Sequence, residues 1–331
     1  QQHPEVQLWL GYAAASSEQW RRANQSFPRT TDLLSEYPPN IAVPMTIYMA
    51  ESALRLGNTD TARQLLDTLK TIPNENKEHN RAAIDYLRGE AARQDGDIAA
   101  AIELWAPVAK GIDRLYHTKA ELALTQLQLA QKQIELDTAI DRVDSLRFAW
   151  RGDGLEVQTM TVLGRFKIMD QRYLDGLNDL KSAANLADAM RDDSTPLRVE
   201  MADTVASLFG NNEADRKKLP PLEAVSIYNE FEDLLPEGEE GAPALLNFAD
   251  YLISMDLLDR AAGLINRALS QVSAPAQQAD IGARLAAVYL LDSRPTLALE
   301  ALTRSNPANT ADIDSDLMME RTLLKARAQS Q

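Results

Sequence analysis

Hydrophobic and polar positions follow each other along the chain with the spacing of paired helices. In the stretch RLGNTDTARQLL, residues 55–66, an apolar helix tail is followed by Gly57, which indicates a helix stop. A second periodic segment then begins, and Ala62, Leu65 and Leu66 occupy one face of it. The stretch therefore predicts the turn of a helical hairpin.

The same order of helix tail, polar break and small residue returns throughout the chain. In each copy the small residue stands one turn into the second helix. These residues are Ala23, Ala62, Ala101, Ala139, Gly176, Ala224, Ala261 and Ala298. Neighbouring copies are 37 to 39 residues apart, except for one interval of 48 residues that ends at Ala224. A regular period of this length is typical of repeat proteins, in which each unit packs on the next.

Each copy also carries the side chains that packed helices need. Four residues after the small residue, every copy has an apolar side chain: Phe27, Leu66, Trp105, Val143, Leu180, Tyr228, Ile265 and Leu302. Twelve residues before it, on the first helix, most copies have glycine or alanine: Gly11, Ala50, Gly89, Gly164, Ala249 and Ala286. The fourth copy departs, with Leu127 at this position. A short side chain lets two helices approach closely, so we expect the hairpins to stack and share one core.

This pattern resembles the tetratricopeptide repeat (TPR) family. The unit of that family is a helical pair of roughly 34 residues, with small residues at its eighth and twentieth positions. The units of this chain are longer, and they lack the tryptophan that the family has at its fourth position. The resemblance implies an all-α fold, a right-handed α-solenoid of about eight TPR-like helix-turn-helix repeats that continues over residues 1–331.

The predicted repeats follow from these positions. They lie near 4–40, 43–76, 82–112, 120–150, 157–190, 198–236, 242–275 and 279–307. The sixth repeat contains an insertion, residues 210–221, in place of a tight turn. Residues 313–331 predict either a capping helix or the first helix of a truncated ninth repeat.

Composition and charge exclude several classes of function. The formal net charge of −15 argues against nucleic acid as a partner, because proteins that bind the phosphate backbone use clustered Lys and Arg. The chain has no cysteine, which excludes disulfides and thiolate metal sites. Its apolar stretches are shorter than a membrane span, so we expect no direct insertion into a membrane.

Known catalytic and ligand-binding motifs are missing from the sequence. His3, His79 and His117 are far apart and do not form an HExxH or similar metal motif. The acidic run at 232–241 lacks the alternating ligands of a calcium loop. No nucleotide-binding loop or serine elbow is present. We therefore expect no catalytic residues, no metal site and no cofactor, and a protein that is not an enzyme.

The TPR resemblance implies a binding groove. In that family the first helix of each unit lines the concave surface, and residues just beyond the close-packed glycine or alanine point into it. The residues that this rule assigns to the groove are Tyr12, Glu51, Arg55, Glu90, Arg93, Gln94, Gln128, Lys132, Arg165 and Asp250. They are mixed in charge and rich in hydrogen-bonding groups. The resemblance thus predicts a non-catalytic scaffold that binds a peptide or protein partner.

Three longer stretches point to a location. LRFAWRGDGLE at 146–156, LPPLEAVSIYNEF at 219–231 and LLDRAAGLINRAL at 257–269 are similar to large TPR-like proteins of the alphaproteobacterial cell envelope. That similarity implies a periplasmic or envelope location, a place within a larger envelope protein, and a link to the flagellar motor. The first residues, QQHPEVQLWL, lack the apolar core of a signal peptide, which leaves a cytoplasmic location as the alternative.

Two other kinds of protein fit the same helical pattern. A helical toroid enzyme would hold two carboxylates in a closed cleft, one of them an acid with a raised pKa. A purely structural spacer would have no groove at all. The two alternatives can therefore be distinguished from a scaffold by the geometry of the inner surface.

Overall fold

All regular structure in the described part of the chain is helical. The computed structural model describes residues 3–27, 32–70, 77–209, 219–235, 238–307 and 314–331. Its helices follow one another as helix-turn-helix pairs, which confirms the all-α class and the repeat type expected from the sequence. Repeated hairpins of this kind are the architecture of the TPR family. Contacts divide the chain into two compact units, Gln1–Asp170 (unit 1) and Gln171–Gln331 (unit 2), and the sequence did not predict this division.

Unit 1 contains nine described α-helices. They are α1 (Pro4–Ser16), α2 (Trp20–Ser26), α3 (Pro39–Arg55), α4 (Thr59–Thr68), α5 (Lys77–Gln94), α6 (Ile98–Val108), α7 (Arg114–Ala130), α8 (Leu136–Leu146) and α9 (Gly154–Met169), with a 3-10 helix at Asp32–Glu36. Each odd-numbered helix from α1 to α7 packs against the even-numbered helix that follows it. Most buried side chains of α1 and α3 to α7 form one core, which begins at Leu8 and includes Leu124, and Ala14, Ala15 and Ala23 form a smaller cluster between α1 and α2.

Unit 2 has the same construction. Its helices are α10 (Tyr173–Ala189), α11 (Thr195–Phe209), α12 (Pro221–Phe231), α13 (Ala242–Ser254), α14 (Leu258–Gln271), α15 (Pro275–Leu291), α16 (Pro295–Arg304) and α17 (Ser315–Ser330), with short 3-10 helices at Glu232–Leu234 and Gly238–Glu240. Most of the predicted insertion, residues 210–218, lies outside the described residues. The predicted boundaries of the repeats, and the choice between a cap and a truncated repeat for 313–331, stay predictions.

Small residues lie where the sequence pattern places the helix crossings. The eight small residues of the second helices are all buried: Ala23, Ala62, Ala101, Ala139, Gly176, Ala224, Ala261 and Ala298. On the first helices, Gly89 lies directly against the indole of Trp105, and a Cβ on Gly89 would overlap that ring. A Cβ on Gly11 would come within 2.5 Å of the Phe27 ring. Glycine is therefore required at these crossings because the large partner side chain fills the space.

The hairpin turns share a backbone conformation that the sequence pattern only partly indicated. Five residues before the small residue, six hairpins have a residue with positive φ: Glu18, Gly57, Gly96, Gln171, Asp256 and Ser293. The amide that follows it closes the end of the first helix. Asn58 N donates to Ala53 O, and Leu257 N donates to Leu252 O, each at 2.9 Å. This is the six-residue bond of the Schellman motif, and it ends the first helix so that the second can turn back.

Candidate functional site

The first helices of unit 1 border an open depression of about 540 Å³. We call it the charged cleft. Its polar lining consists of Glu51, Arg55, Tyr86, Glu90, Arg93, Gln94, Gln126 and Gln158. These residues come from α3, α5, α7 and α9, which are the helices on which the hairpins of unit 1 begin. The stacking of successive hairpins therefore brings residues from distant parts of the sequence to one surface.

Five of the ten residues assigned to a groove from the sequence line this cleft. They are Glu51, Arg55, Glu90, Arg93 and Gln94. All five lie on α3 and α5, shortly after Ala50 or Gly89. The structure thus brings together the predicted residues of two neighbouring repeats.

The other five predicted residues lie elsewhere. Tyr12 lines a second cleft of unit 1. Gln128 accepts a hydrogen bond from Arg142 of α8 at 2.8 Å, and Lys132 lies in the left-handed turn after α7. Arg165 is exposed on α9. Asp250 belongs to unit 2, where it forms an ion pair with Arg284.

The acidic groups of the charged cleft are less exposed than the basic groups. The Glu51 side chain is 5% exposed, and its carboxylate accepts a hydrogen bond from Lys119 at 3.1 Å. Glu90 accepts two hydrogen bonds from the guanidinium of Arg93, at 2.6 and 2.9 Å. The side chains of Arg55 and Arg93 are each 45% exposed. The cleft therefore presents guanidinium groups to its opening, above carboxylates that are already paired.

Lys119 is a component of this site that the sequence analysis missed. It reaches from α7 to Glu51 of α3, and its ammonium lies over the rings of Tyr86 and Tyr116, 5.9 and 5.3 Å from their centres. Cations over aromatic faces are stabilised by the ring quadrupole. Lys119 follows Tyr116 by three residues and precedes Ala123 by four, so helical spacing could have placed it on the same face.

The turn between α1 and α2 closes one side of the inner surface of unit 1. A small cavity of about 90 Å³ lies there between Glu18, Arg55, Tyr86, Lys119 and Gln158, and Gly154 at the start of α9 also borders it. A Cβ on Gly154 would come within 2.6 Å of the Glu18 carboxylate. Loss of contact with water and the negative charge of Asp153 raise the pKa of Glu18, although Lys119 and Arg55 act in the opposite direction.

A second depression of unit 1, of about 490 Å³, has an aromatic lining. We call it the tyrosine cleft. Its lining consists of Tyr12, Pro39, Asn40, Pro44, Ile47, Tyr48, His79, Asn80, Leu115 and Tyr116. The rings of Tyr12 and Tyr48 meet edge to face, with centres 5.3 Å apart. His79 Nδ1 lies 2.6 Å from Asp113 Oδ2, at the first turn of α7.

The sequence contained a signal for these aromatic residues that the groove rule did not use. Tyr48 stands two residues before Ala50, and Tyr86 stands three residues before Gly89. The rule considered only the residues that follow the small position. Tyr48 also stands three residues before Glu51, and Tyr86 stands four residues before Glu90. Residues three or four positions apart share a helix face, so a search in both directions from the groove residues would have found both tyrosines.

The described ranges contain no candidate metal site and no candidate membrane span. Within those ranges, no group of three or more His, Asp or Glu side chains is arranged to hold a metal ion. Likewise, no helix of the described residues has the length and apolar character that a membrane span requires.

Comparisons with known proteins give similarity to solved structures only. No family model and no curated protein matches the chain. The Cut9–Hcn1 hetero-tetramer of the APC/C is 16% identical, with a TM-score of 0.43 over 97% of this chain and 55% of that one. The C-terminal part of a TPR repeat-containing protein from Cytophaga hutchinsonii is 12% identical, with a TM-score of 0.43 over 80% of this chain and 95% of that one.

A third similar structure is a Rap protein complexed with Competence and Sporulation Factor. It is 12% identical, with a TM-score of 0.42 over 98% of this chain and 88% of that one. The chain thus spans little more than half the length of the Cut9 chain and most of the other two. With TM-scores this low, the description of the fold rests on the helical hairpins themselves.

Proposed function

We propose that the protein is a non-catalytic scaffold for protein–protein interaction, and that unit 1 binds a peptide or protein partner in the charged cleft. One observation carries the proposal: four successive first helices direct polar side chains into one open depression. An extended segment of a partner can lie across these helices and contact each in turn. The depression also argues against a purely structural spacer, for which we expected no groove.

The chemistry of the charged cleft supports a partner that supplies hydrogen-bond acceptors. Arg55, Arg93, Gln126 and Gln158 are exposed there, and each can donate. The carboxylates of Glu51 and Glu90 are engaged by neighbouring cations and hold them in place. Main-chain carbonyls and side-chain carboxylates of a bound segment are the matching acceptors.

The proposal is tested by selecting peptides against the intact chain and measuring their affinity for two variants. The first variant, Arg55→Ala with Arg93→Ala, removes both guanidinium groups from the charged cleft. The second, Arg260→Ala with Arg327→Ala, removes the same charge from exposed positions of unit 2. We expect the selected peptides to bind the first variant roughly 10- to 100-fold more weakly and the second with unchanged Kd. Equal affinity for the two variants, both of them folded, would contradict the proposal.

A helical enzyme remains the second candidate, because one observation favours it. Loss of contact with water and the charge of Asp153 raise the pKa of Glu18, which borders a small cavity of unit 1. Asp153, however, accepts a hydrogen bond from Leu155 N at 3.0 Å as the cap of α9, and so has a structural role. Hydrolysis of a panel of nitrophenyl glycosides tests this candidate. Turnover by the parent protein that is lost in Glu18→Gln would support the enzyme and contradict the proposal of a non-catalytic scaffold.

We also propose a periplasmic or envelope location, within a larger envelope protein that serves the flagellar motor. The support is the similarity of residues 146–156, 219–231 and 257–269 to alphaproteobacterial envelope proteins. Fractionation of the native cell, with an antibody against this chain, tests the location. Recovery with periplasmic and membrane markers is expected, and recovery with cytoplasmic markers alone would contradict it.

A further inference from the structure

The tyrosine cleft contains phenol hydroxyls that have no partner in the described part of the chain. Tyr12, Tyr48 and Tyr116 all border it, and none of their hydroxyls forms a hydrogen bond with another described residue. Tyr116 is only 5% exposed. A tyrosine buried to this extent usually finds a partner for its O–H. These hydroxyls are therefore available to a ligand in the cleft.

The hydroxyls of Tyr48 and Tyr116 stay protonated under ordinary conditions. Loss of contact with water raises the pKa of Tyr116, and the charge of Glu51 adds to the effect. Loss of contact with water also raises the pKa of Tyr48, and Tyr12 adds to it. Both of these phenols thus remain hydrogen-bond donors.

Flat apolar surfaces surround these donors. Tyr12 and Tyr48 meet edge to face, and Pro39, Pro44 and Ile47 complete the wall that α3 contributes. On the other side the rings of His79 and Tyr116 are 5.3 Å apart. Trp9 extends the aromatic surface beyond the cleft, since its ring contacts Tyr12 at 5.9 Å while the residue is 44% exposed. A ligand can therefore bury its rings against these surfaces and still accept hydrogen bonds from the phenol hydroxyls.

Charge separates the tyrosine cleft from the charged cleft. Its lining residues include no Asp, Glu, Lys or Arg, and the Nδ1 of its histidine, His79, is engaged with Asp113. The chain as a whole has a net charge of −15. An uncharged ligand avoids both the cost of burying a charge and the repulsion that an anion would meet.

We propose that the tyrosine cleft binds a proline-containing peptide segment in the polyproline II conformation. Proline has no N–H, so such a segment presents carbonyl acceptors without donors that would need partners. Its rings are apolar and its backbone is already extended, which lowers the entropy lost on binding. Aromatic walls with phenol donors match both features.

The proposal concerns a second cleft and does not depend on the charged cleft. The two clefts adjoin, because Tyr116 of one and Tyr86 of the other have ring centres 5.9 Å apart. A single partner can therefore occupy both, although each cleft has its own set of residues. Separate variants can accordingly test the two proposals.

Fluorescence anisotropy with a labelled decaproline peptide and the intact chain provides the test. A Gly-Ser peptide of equal length controls for nonspecific binding, and calorimetry with cellohexaose and chitohexaose covers carbohydrates, which also stack on aromatic rings. We expect saturable binding of decaproline alone. Tyr116→Phe and Tyr48→Phe each remove one hydroxyl and keep the ring, so each should weaken binding roughly 3- to 10-fold.

Two matched variants define the specificity of the effect. Tyr289→Phe removes a hydroxyl from α15 of unit 2, and Arg93→Ala changes the charged cleft; both should leave the Kd for decaproline unchanged. Circular dichroism checks that every variant is folded. The proposal is overturned if decaproline does not bind saturably, if the double variant Tyr48→Phe with Tyr116→Phe binds it normally, or if only an oligosaccharide binds. If Arg93→Ala abolished decaproline binding and the tyrosine variants did not, the peptide would bind in the charged cleft. That result would also overturn the proposal for the tyrosine cleft.

Discussion

The two units follow the same rules for hairpins and use the polar face of the first helix differently. In unit 1, Arg55 and Arg93 pair with Glu51 and Glu90 of their own helices and border an open cleft. In unit 2, Asp250 forms an ion pair with Arg284, whose guanidinium also donates to Leu246 O at 3.0 Å. The polar residues of α13 and α15 thus connect successive hairpins. A repeat pattern predicts where a polar face lies, but not whether that face stays open or contacts a neighbouring hairpin.

Each unit also contains a largely buried cation, and the two cations have different partners. In unit 1, Lys119 of α7 is paired with the buried carboxylate of Glu51. In unit 2, Arg321 of α17 is 7% exposed and donates to the carbonyls of Ala279 and Leu302 and to the hydroxyl of Ser305. One contact neutralises charge and the other satisfies helix carbonyls. Their removal should therefore have different consequences.

The largest expected effect concerns the close helix crossing in unit 1. Gly89→Leu would place a side chain in the space that the Trp105 indole fills, and we expect it to lower the free energy of unfolding by about 3 kcal/mol or more. Gly263→Ala in unit 2 is the matched control, because no atom lies near its Cβ position. That change should raise stability by about 0.5–1 kcal/mol. Urea unfolding followed by circular dichroism measures both, and equal effects would contradict the assigned crossing.

The next effect concerns the buried ion pair of unit 1. Lys119→Met leaves the Glu51 carboxylate buried without its closest cation, and we expect a loss of about 2–3 kcal/mol in urea unfolding. Adding Glu51→Gln should recover much of this loss, because the uncompensated charge is then absent. A double variant no more stable than Lys119→Met would show that the pair does not carry the effect.

Arg321 provides the corresponding change in unit 2. Arg321→Met leaves the carbonyls of Ala279 and Leu302 without their donor, and we expect a loss of about 2 kcal/mol. Arg327→Met, on the exposed face of the same helix, should change stability by less than about 0.5 kcal/mol. Hydrogen exchange should report faster exchange in α17 for the first variant alone. Similar exchange in both variants would argue against the docking role of Arg321.

The left-handed residues of the hairpin turns test whether the two units share one turn conformation. Asp256 of unit 2 has a φ of 60°, where glycine is favoured, so Asp256→Gly should raise stability by about 0.5–1 kcal/mol. Gly57 of unit 1 has a φ of 76°, and Gly57→Ala should lower stability by about 1 kcal/mol. Thermal unfolding measures both. Shifts of the same sign would contradict a common left-handed turn.

The smallest effect depends on pH and belongs to unit 1. The folded-state pKa of Glu18 is raised, so its contribution to stability is greatest when it is protonated and is lost as pH rises through that pKa. Glu18→Gln should therefore be more stable than the parent protein at neutral pH. The difference should shrink as pH falls towards about 4, where the unfolded carboxyl is also protonated. Urea unfolding across this range measures it, and a difference independent of pH would contradict the assigned shift.

Sequence spacing predicted the hairpins more fully than it predicted the clefts. The small residues and the apolar residues that follow them, such as Ala101 and Trp105, are buried as the helical period requires. On α3 and α5 the same spacing also identified cleft residues. On α7 the rule started from Leu127 and selected Gln128 and Lys132, whereas Ala123, Gln126, Leu127 and Ala130 line the cleft there. Without a small residue at the expected position, spacing alone could not define which face of α7 points inward.

The sequence by itself determined the period, the places of most turns and the buried face of most helices, because these depend on contacts within one hairpin and on the helical repeat. Only the tertiary structure decided which distant hairpins meet. Glu51 and Lys119 are 68 residues apart, and the Glu18 carboxylate reaches the start of α9 at Gly154. Such contacts depend on the rotation between successive hairpins, which adds up over the stack and is set by side-chain volumes at every crossing. The sequence of one repeat does not determine this accumulated rotation. The positions of the clefts in unit 1 therefore follow only from the packed structure.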